Sequence, residues 1–184
     1  MNTENTKTLP NAAATGDVQF ACALLDAGAD LHQQCDLPLC CAARKGRLEM
    51  LKFLIDRGAD VHAGHDEPIR EAAASGQIEC LKELLARGVT SHANDNVALL
   101  GAVAGNQVSM VQFLLQNGAD VHARCDEAVR TAAKRGYTSM VDVLIKNGAD
   151  WHAQGNQALV HAARNGHGEI VKLLIKAGEC CRLS

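Results

Sequence analysis

Residues Gly118-Ala119-Asp120-Val121-His122-Ala123 make up a short turn sequence that returns at 30-residue intervals along the chain. The near-identical copies are Gly28-Ala29-Asp30-Leu31-His32, Gly58-Ala59-Asp60-Val61-His62-Ala63 and Gly148-Ala149-Asp150-Trp151-His152-Ala153. A degraded copy, Gly88-Val89-Thr90-Ser91-His92, is third in the series, and the pattern stops at Gly178-Glu179-Cys180. A fixed period of roughly 20 to 50 residues indicates a repeat protein, in which each unit contacts only its neighbours. The 184 residues therefore predict about six stacked units in one continuous domain.

The first half of each unit predicts a helix with small residues in its middle. In the unit 126–155, Asp126 precedes the helix, and its side chain can accept hydrogen bonds from the free N–H groups of the first turn. The same position holds Asp36, Asp66, Asn96 and Asn156. The small pair Ala132-Ala133 lets neighbouring helices approach, and Gly136 ends the helix in the left-handed conformation. In the fourth unit Asn106 replaces this glycine, and asparagine also tolerates that conformation.

The second half of each unit predicts an amphipathic helix. Its apolar residues follow the spacing i, i+1, i+4, i+5, which makes one stripe along a helix. In the fourth unit the stripe consists of Met110, Val111, Leu114 and Leu115. Each unit is therefore predicted to run helix, turn, helix, turn.

The unit Ala-Ala-x-x-Gly-x-x-x-x-(Met/Ile/Val)-Val-x-x-Leu-(Leu/Ile)-x-x-Gly-Ala-Asp-Val-His-Ala resembles the ankyrin repeat, and the resemblance covers about Leu9 to Gly178. It implies an all-α ankyrin-repeat solenoid of about six helix-turn-helix units. The array is predicted to span residues 9–178, with a flexible N-terminal tail at 1–8 and a C-terminal tail at 179–184. The resemblance also implies non-covalent binding of a protein partner, as an adaptor, scaffold or inhibitor.

The unit departs from the family's usual pattern in its length and at its helix start. It has 30 residues, against about 33 in the ankyrin repeat, and the Thr-Pro-Leu-His start is absent. The shortening falls between His122-Ala123 and Ala132-Ala133, where the family's hairpin finger projects. We therefore expect shortened fingers, with partner contact shifted toward the first helices. This short form resembles the ankyrin arrays of giant viruses and some intracellular bacteria.

The charge and composition of the chain exclude several classes of function. The net charge is -3 and no long basic run occurs, so nucleic acid is not expected as a partner. Hydrophobic residues make up 47% but aromatic residues only 3%, which fits thin stacked helices rather than a ligand cavity. Met1 to Thr8 is polar and lacks the apolar core of a secretory signal. We expect a cytoplasmic monomer. For arrays of this style, the cytoplasm can be that of a host cell.

The eight cysteines indicate free thiols rather than disulfides. They lie at positions 22, 35, 40, 41, 80, 125, 180 and 181, without C-x-x-C spacing. In a chain without a secretory signal, such cysteines are reduced, and many are buried as small hydrophobes. No zinc site or other cofactor is predicted.

Histidine recurs in the turn of five units, at His32, His62, His92, His122 and His152. A metal ladder is disfavoured because equivalent side chains of stacked units point the same way about 10 Å apart and do not converge. The ankyrin resemblance places asparagine here, bonded to the turn backbone, and histidine is expected to do the same. It also leaves open hydroxylation of this position by asparaginyl hydroxylases. No Ser-His-Asp, paired-carboxylate or phosphate-loop arrangement lies outside the repeat, so an enzyme or metal-binding array is a disfavoured alternative.

The C-terminus carries candidate lipidation sites. Cys181-Arg182-Leu183-Ser184 fits a farnesylation signal ending in serine, and Cys180 could take a second lipid. One prenyl chain alone gives marginal membrane binding, so the second thiol would matter. Against this signal, Arg182 is not aliphatic and no polybasic stretch is present. A lipid-anchored, host-directed effector is therefore an alternative function, and membrane contact is expected only if this lipidation occurs.

The candidate partner surface lies on the first helices, at positions that vary between repeats and so escape the packing constraint. These positions are Cys40/Cys41, Arg70/Glu71, Leu100/Gly101, Arg130/Thr131 and Val160/His161. No charged residue occurs between Asp95 and Asp120, and an apolar centre with a polar rim is the anatomy of an interface. The predicted partner-binding residues are Arg70, Glu71, Val97, Leu100, Ala104, Gln107, Arg130 and Thr131. The alternative is that this central repeat packs against a neighbour on both sides and tolerates the lack of charged residues without binding a partner there.

Cations recur where the first helices end, at Arg44, Lys45, Lys134, Arg135 and Arg164. A cation at a helix C-terminus interacts favourably with the helix dipole, by about a few tenths of a kcal/mol. This effect is sufficient to explain them without an acidic partner.

Overall fold

The computed structural model describes residues 8–89 and 93–180. These residues form twelve α-helices joined by turns, with no strand among them. The helices are α1 (Leu9–Thr15), α2 (Val18–Asp26), α3 (Gln33–Lys45), α4 (Leu48–Asp56), α5 (Ala63–Ala74), α6 (Ile78–Ala86), α7 (Ala93–Ala104), α8 (Val108–Gln116), α9 (Ala123–Arg135), α10 (Thr138–Lys146), α11 (Ala153–Arg164) and α12 (Gly168–Cys180). The predicted all-α solenoid of about six helical pairs is confirmed.

Some boundaries predicted from the sequence fall outside the described residues. Most of the tail at 1–8 does so, as do residues 90–92 of the degraded finger and residues 181–184. At the other end of the array, α12 continues past Gly178 to Cys180.

The helices are arranged in two layers. The odd-numbered helices, here called the inner helices, pack against one another, and each also packs against the even-numbered outer helix that follows it. Contacts between neighbouring inner helices are more extensive than those between neighbouring outer helices. The stack therefore curves toward the inner helices, which form its concave face.

The core lies between the two layers and follows the predicted pattern. The small pair Ala132-Ala133 of α9 is fully buried, so neighbouring inner helices can approach closely. On the outer helix α8, Met110, Val111 and Leu114 are buried, while Leu115 is only partly buried. Burial of aliphatic side chains of this size stabilises the stack by about 1.5 to 3 kcal/mol each.

Left-handed residues end the inner helices, as the sequence predicts. Gly46 and Gly136 have φ of 67° and 81°, and each follows the last helical residue. Asn106, which replaces the glycine in the fourth unit, has φ of 55°. The turn therefore survives the substitution, because asparagine tolerates this conformation better than most residues.

A tight left-handed turn stands where a longer finger would project. Gln34, Cys35 and Asp36 are three successive residues with φ of 49°, 56° and 55°. Residues 64–66, 124–126 and 154–156 repeat this run. A left-handed residue other than glycine costs about 1 to 2 kcal/mol, so other interactions must hold the turn in place.

The last residue of each left-handed turn provides such an interaction through a polar side chain. Asp36, Asp66, Asn96 and Asp126 are each at most 5% exposed. The Asp126 Oδ1 atom accepts a hydrogen bond from Nδ1–H of His122 at 3.0 Å and from the backbone N–H of Asp150 at 2.7 Å. An N-cap residue has an extended backbone, whereas Asp126 is left-handed. Its carboxylate therefore reaches the next repeat. The prediction that Asp126 caps its own helix is therefore wrong.

The other copies make one or both of these bonds. Asp36 accepts hydrogen bonds from the turn histidine at 3.0 Å and from the backbone N–H of Asp60 at 3.3 Å. Asn96 Oδ1 accepts from the backbone N–H of Asp120 at 3.0 Å, and Asn156 Oδ1 accepts from its histidine at 2.7 Å. The rings of His32, His62, His122 and His152 therefore bind a side chain of their own turn, and not the turn backbone as predicted, while His92 lies outside the described residues.

The left-handed turn leads to a first prediction, at Cys125. This residue is exposed with φ of 57°, and the equivalent residue of the next repeat is Gly155. Cys125→Gly is expected to raise the free energy of unfolding by about 0.5 to 1 kcal/mol, because glycine adopts the conformation without steric cost. The control Gln112→Gly, at an exposed position inside α8, is expected to lower it by about 1 kcal/mol. Urea unfolding measures both, and an equal loss in the two variants would contradict the prediction.

Candidate partner-binding groove

The inner helix α7 approaches its neighbour α5 closely because Gly101, within α7, and Gly105, directly after its last residue, lack a side chain. A Cβ atom placed on Gly101 would lie 2.8 Å from the carbonyl oxygen of Arg70. One placed on Gly105 would lie 1.8 Å from the carbonyl oxygen of Ala74. Neither glycine is left-handed, so it is the distance between the two backbones, and not turn geometry, that requires them.

A solvent-open groove of about 340 Å³ crosses α7 on the inner face, between α5 and α9. Gly101 and Ala104 contribute little side chain to its floor, while the partly buried Val97 and Leu100 supply apolar surface. The complete lining is Arg70, Ala74, Val97, Leu100, Gly101, Ala104, Arg124, Glu127, Thr131 and Arg135. The floor is therefore uncharged, and the charged residues lie on the neighbouring helices.

Ion pairs border the groove on both sides. On α5, Nη2 of Arg70 lies 2.6 Å from Oε1 of Glu67 and 3.4 Å from Oε1 of Glu71. On α9, Nη1 of Arg124 lies 3.6 Å from Oε2 of Glu127. These pairs are exposed or half-exposed, so they contribute little to stability and remain available to a partner.

Arg135 connects α9 to α7 at one end of the groove. Its Nη1 atom donates a hydrogen bond to the carbonyl oxygen of Ala104, the last residue of α7, at 2.6 Å. From the sequence alone, this cation is explained by the dipole of its own helix. In the structure it lies at the C-terminus of the neighbouring helix, where the same dipole argument applies.

Five of the eight predicted partner-binding residues line this groove, namely Arg70, Val97, Leu100, Ala104 and Thr131. Glu71 lies beside the groove in its pair with Arg70. Gln107 lies outside the lining, because its side chain covers the turn of the preceding repeat, where a Cβ on Gly76 would be 2.6 Å from its Oε1. Arg130 also lies outside the lining, because it donates to the two carbonyls of its own left-handed turn at 3.2 and 3.0 Å.

Sequence reasoning placed Gly101 among the variable positions of the partner surface but missed four lining residues, namely Ala74, Arg124, Glu127 and Arg135 as a groove residue. The repeat register contains a signal for Ala74, because it is 30 residues before Ala104 and so occupies the same place in the adjacent repeat. No comparable signal exists for Arg124, because a left-handed run of ordinary residues positions it.

A second cleft, of about 190 Å³, lies on the other side of α9. It is lined by Glu127, Arg130, Thr131, Lys134 and His161. Glu127 and Thr131 line both the groove and this cleft. The exposed face of α9 is therefore a ridge with a depression on each side.

A larger open groove of about 580 Å³ lies on the outer face, between α10 and α12. It is lined by Asp142, Ile145, Lys146, Lys172, Leu173, Lys176 and Ala177. None of these residues belongs to an inner helix, where the sequence places the candidate partner surface. We therefore place the candidate site in the inner groove over α7.

Two buried thiols, Cys40 on the inner helix α3 and Cys80 on the outer helix α6, are unsuited to nucleophilic chemistry. Burial and then the Glu67 carboxylate raise the pKa of Cys40 to about 12, and burial raises the pKa of Cys80 to about 11. Both thiols stay protonated at neutral pH. Cys181 lies outside the described residues, so its lipidation stays a prediction.

Residues 8–89 and 93–180 offer no candidate for a metal site or a membrane-spanning helix. In this part of the chain, no three His, Cys, Asp or Glu side chains come together in a way that could hold a metal ion. None of the helices formed by these residues combines the length and apolarity needed to cross a bilayer.

Paired helices stacked at a fixed period define the class of helical-repeat, or solenoid, proteins. A family model described as "Ankyrin repeats (3 copies)" matches residues 9–96 and 99–183, and the protein belongs to the ankyrin repeat family. The crystal structure of the human ASB11 ankyrin repeat domain is similar, with a TM-score of 0.77 and 23% identity over 92% of this chain and 83% of that one. At this identity the similarity shows the fold alone. A search of curated proteins gave no match.

Proposed function

We propose that this protein is a non-enzymatic protein-binding module, an adaptor, scaffold or inhibitor, and that its partner binds the inner groove over α7. The observation that carries the proposal is a solvent-open, uncharged floor bordered by charged side chains in an ankyrin repeat protein. Ankyrin repeats are protein–protein interaction modules. The free thiols of the described cysteines favour a cytoplasmic location for the complex.

Packing needs alone do not account for the groove. If the fourth repeat lacked charged residues only because it packs between two neighbours, its apolar side chains would be buried. Val97 and Leu100 instead remain partly exposed. The close contact of α7 with α5 holds this surface in place before a partner arrives. A surface that is already ordered loses less entropy on binding, which favours affinity.

Leu100→Asp tests the proposal by placing a charge on the groove floor. A partner side chain would then have to desolvate the carboxylate, so we expect the dissociation constant to rise at least about ten-fold. Affinity capture with the full chain identifies the partner, and titration calorimetry measures the constant. The matched control is Ile175→Asp on α12, which makes the same kind of change at a side chain that is 50% exposed and away from the groove.

Leu100 also packs partly against the core, so the thermal midpoint of each variant is needed. Thr131→Trp provides a second test, because it adds bulk at a partly exposed groove residue without removing a core side chain. Loss of binding in both variants, with Ile175→Asp unaffected, supports the proposal. Unchanged binding in both groove variants would contradict it.

A further inference from the structure

The charge of the inner face changes along the stack. On α5, Glu67 and Glu71 flank the single cation Arg70. The described side chains of α7, residues 96–104, carry no charge. On α9 and α11 the charged groups that reach solvent are mostly cations. They are Arg124, Arg130, Lys134, Arg135 and Arg164, against the single carboxylate of Glu127. The chain's net charge of -3 therefore conceals a basic surface on one side of the groove.

Most of these cations are not neutralised within the chain. Arg135 and Arg130 donate only to backbone carbonyls, at 2.6 Å and at 3.0 and 3.2 Å. A carbonyl accepts the hydrogen bond but leaves the positive charge in place, unlike the glutamates that pair with Arg70 and Arg124. Lys134 and Arg164 make no ion pair with any residue that the structure describes. Of these uncompensated cations, Arg135 lines the groove, Arg130 and Lys134 line the adjoining cleft, and Arg164 follows His161 of that cleft by three residues.

The helix dipole explains only part of this cluster. Lys134, Arg135 and Arg164 lie at helix ends, where the dipole favours a cation. Arg130 lies in the middle of α9, where the dipole has no such effect. Cations gathered on two adjacent repeats also repel one another, and an anionic partner would relieve that repulsion.

We propose that the groove binds an acidic peptide segment of the partner protein, with a bulky apolar side chain over Leu100 and carboxylates on the Arg130 and Lys134 side of α9. The inference rests on the proposed function and adds the chemistry of the partner. The cleft that contains Arg130 and Lys134 shares Thr131 and Glu127 with the groove, so one segment can occupy both. The glutamates on α5 direct its carboxylates toward α9.

The test uses short random peptides displayed on phage and selected on the immobilised full chain. We expect enriched peptides to carry a net negative charge and a Leu, Phe or Trp beside Asp or Glu. One enriched peptide is then measured by fluorescence anisotropy. Its affinity should fall at least about ten-fold in the double variant Lys134→Glu/Arg164→Glu, and should fall with added salt in the original chain.

The matched control is Lys45→Glu/Lys172→Glu. It changes the net charge by the same amount at exposed lysines of α3 and α12, away from the groove. The affinity is expected to stay within about two-fold, because distant exposed charges are screened.

Several results would overturn the inference. Enriched peptides that are neutral or basic would do so, as would acidic peptides that bind the two double variants equally. An absence of any enriched sequence would also overturn it, as would single-stranded DNA that competes with the peptide and shows the same charge dependence. Peptides that need Leu100 but lack acidic residues would overturn this inference alone. Peptides unaffected by both Leu100→Asp and Thr131→Trp would contradict the proposed function itself.

Discussion

Gly105→Ala is expected to lower the free energy of unfolding by about 2 to 3 kcal/mol, although alanine restricts the unfolded chain more than glycine does. The added Cβ would lie 1.8 Å from the carbonyl oxygen of Ala74. Neither the Cβ nor the carbonyl can rotate away, so α7 must move away from α5 and lose packing along the junction. Urea unfolding followed by far-UV circular dichroism measures the loss.

Gly168→Ala is the matched control for this substitution. Gly168 is the first residue of α12, is not left-handed, and would place its Cβ at least 4 Å from other heavy atoms. Alanine there is expected to raise the free energy of unfolding by about 0.5 kcal/mol, through a less flexible unfolded chain. The two substitutions should therefore have opposite signs. A Gly105→Ala variant as stable as the original chain would show that α5 and α7 do not approach as closely as described.

Movement of α7 would also affect the groove, because Gly101 and Ala104 of the same helix form its floor. Stability and partner binding are therefore linked through this helix. Gly105 itself does not line the groove, so a loss of binding in Gly105→Ala would follow from the displacement of α7 and not from a lost contact.

The fold could be predicted because its determinants are local and repeated. Gly136 and Asn106 belong to the few residue types that end a helix in the left-handed conformation, so the turns follow from sequence alone. The stripe around Met110 and Leu114 fixes the buried side of each outer helix in the same way. Such signals need no knowledge of how one repeat packs on the next.

The candidate site could be predicted only in part, because its remaining features depend on contacts between repeats. Variation between repeats points equally to partner contact, as proposed for Leu100, and to an internal contact, as found for Arg130. Gln107 makes an internal contact that the preceding repeat also makes, because Gln77 covers Gly46 as Gln107 covers Gly76. The left-handed conformation of Cys125 runs against its own backbone preference, and tertiary contacts impose it. The role of Gly105 follows only from the distance between two helices.

Asp126→Ala is expected to lower the free energy of unfolding by about 3 kcal/mol, the other large effect in this chain. Asp126 is 5% exposed, and its Oδ1 accepts the backbone N–H of Asp150 at 2.7 Å and the Nδ1–H of His122 at 3.0 Å. Alanine leaves the Asp150 N–H without its acceptor between two repeats, and it also fits the left-handed conformation less well than aspartate does. Thermal and urea unfolding give the size of the loss.

Asp126→Asn separates the hydrogen bonds from the charge. Asn96 already accepts the inter-repeat N–H at 3.0 Å, and Asn156 already accepts the histidine Nδ1–H at 2.7 Å, so an amide oxygen can do both. We expect Asp126→Asn to cost less than about 1 kcal/mol, because both bonds and the tolerance for a left-handed backbone are kept. If asparagine cost as much as alanine, the carboxylate charge would be what holds adjacent repeats together. If neither substitution mattered, the stack would depend on apolar packing alone, and the left-handed turns would need another source of stability.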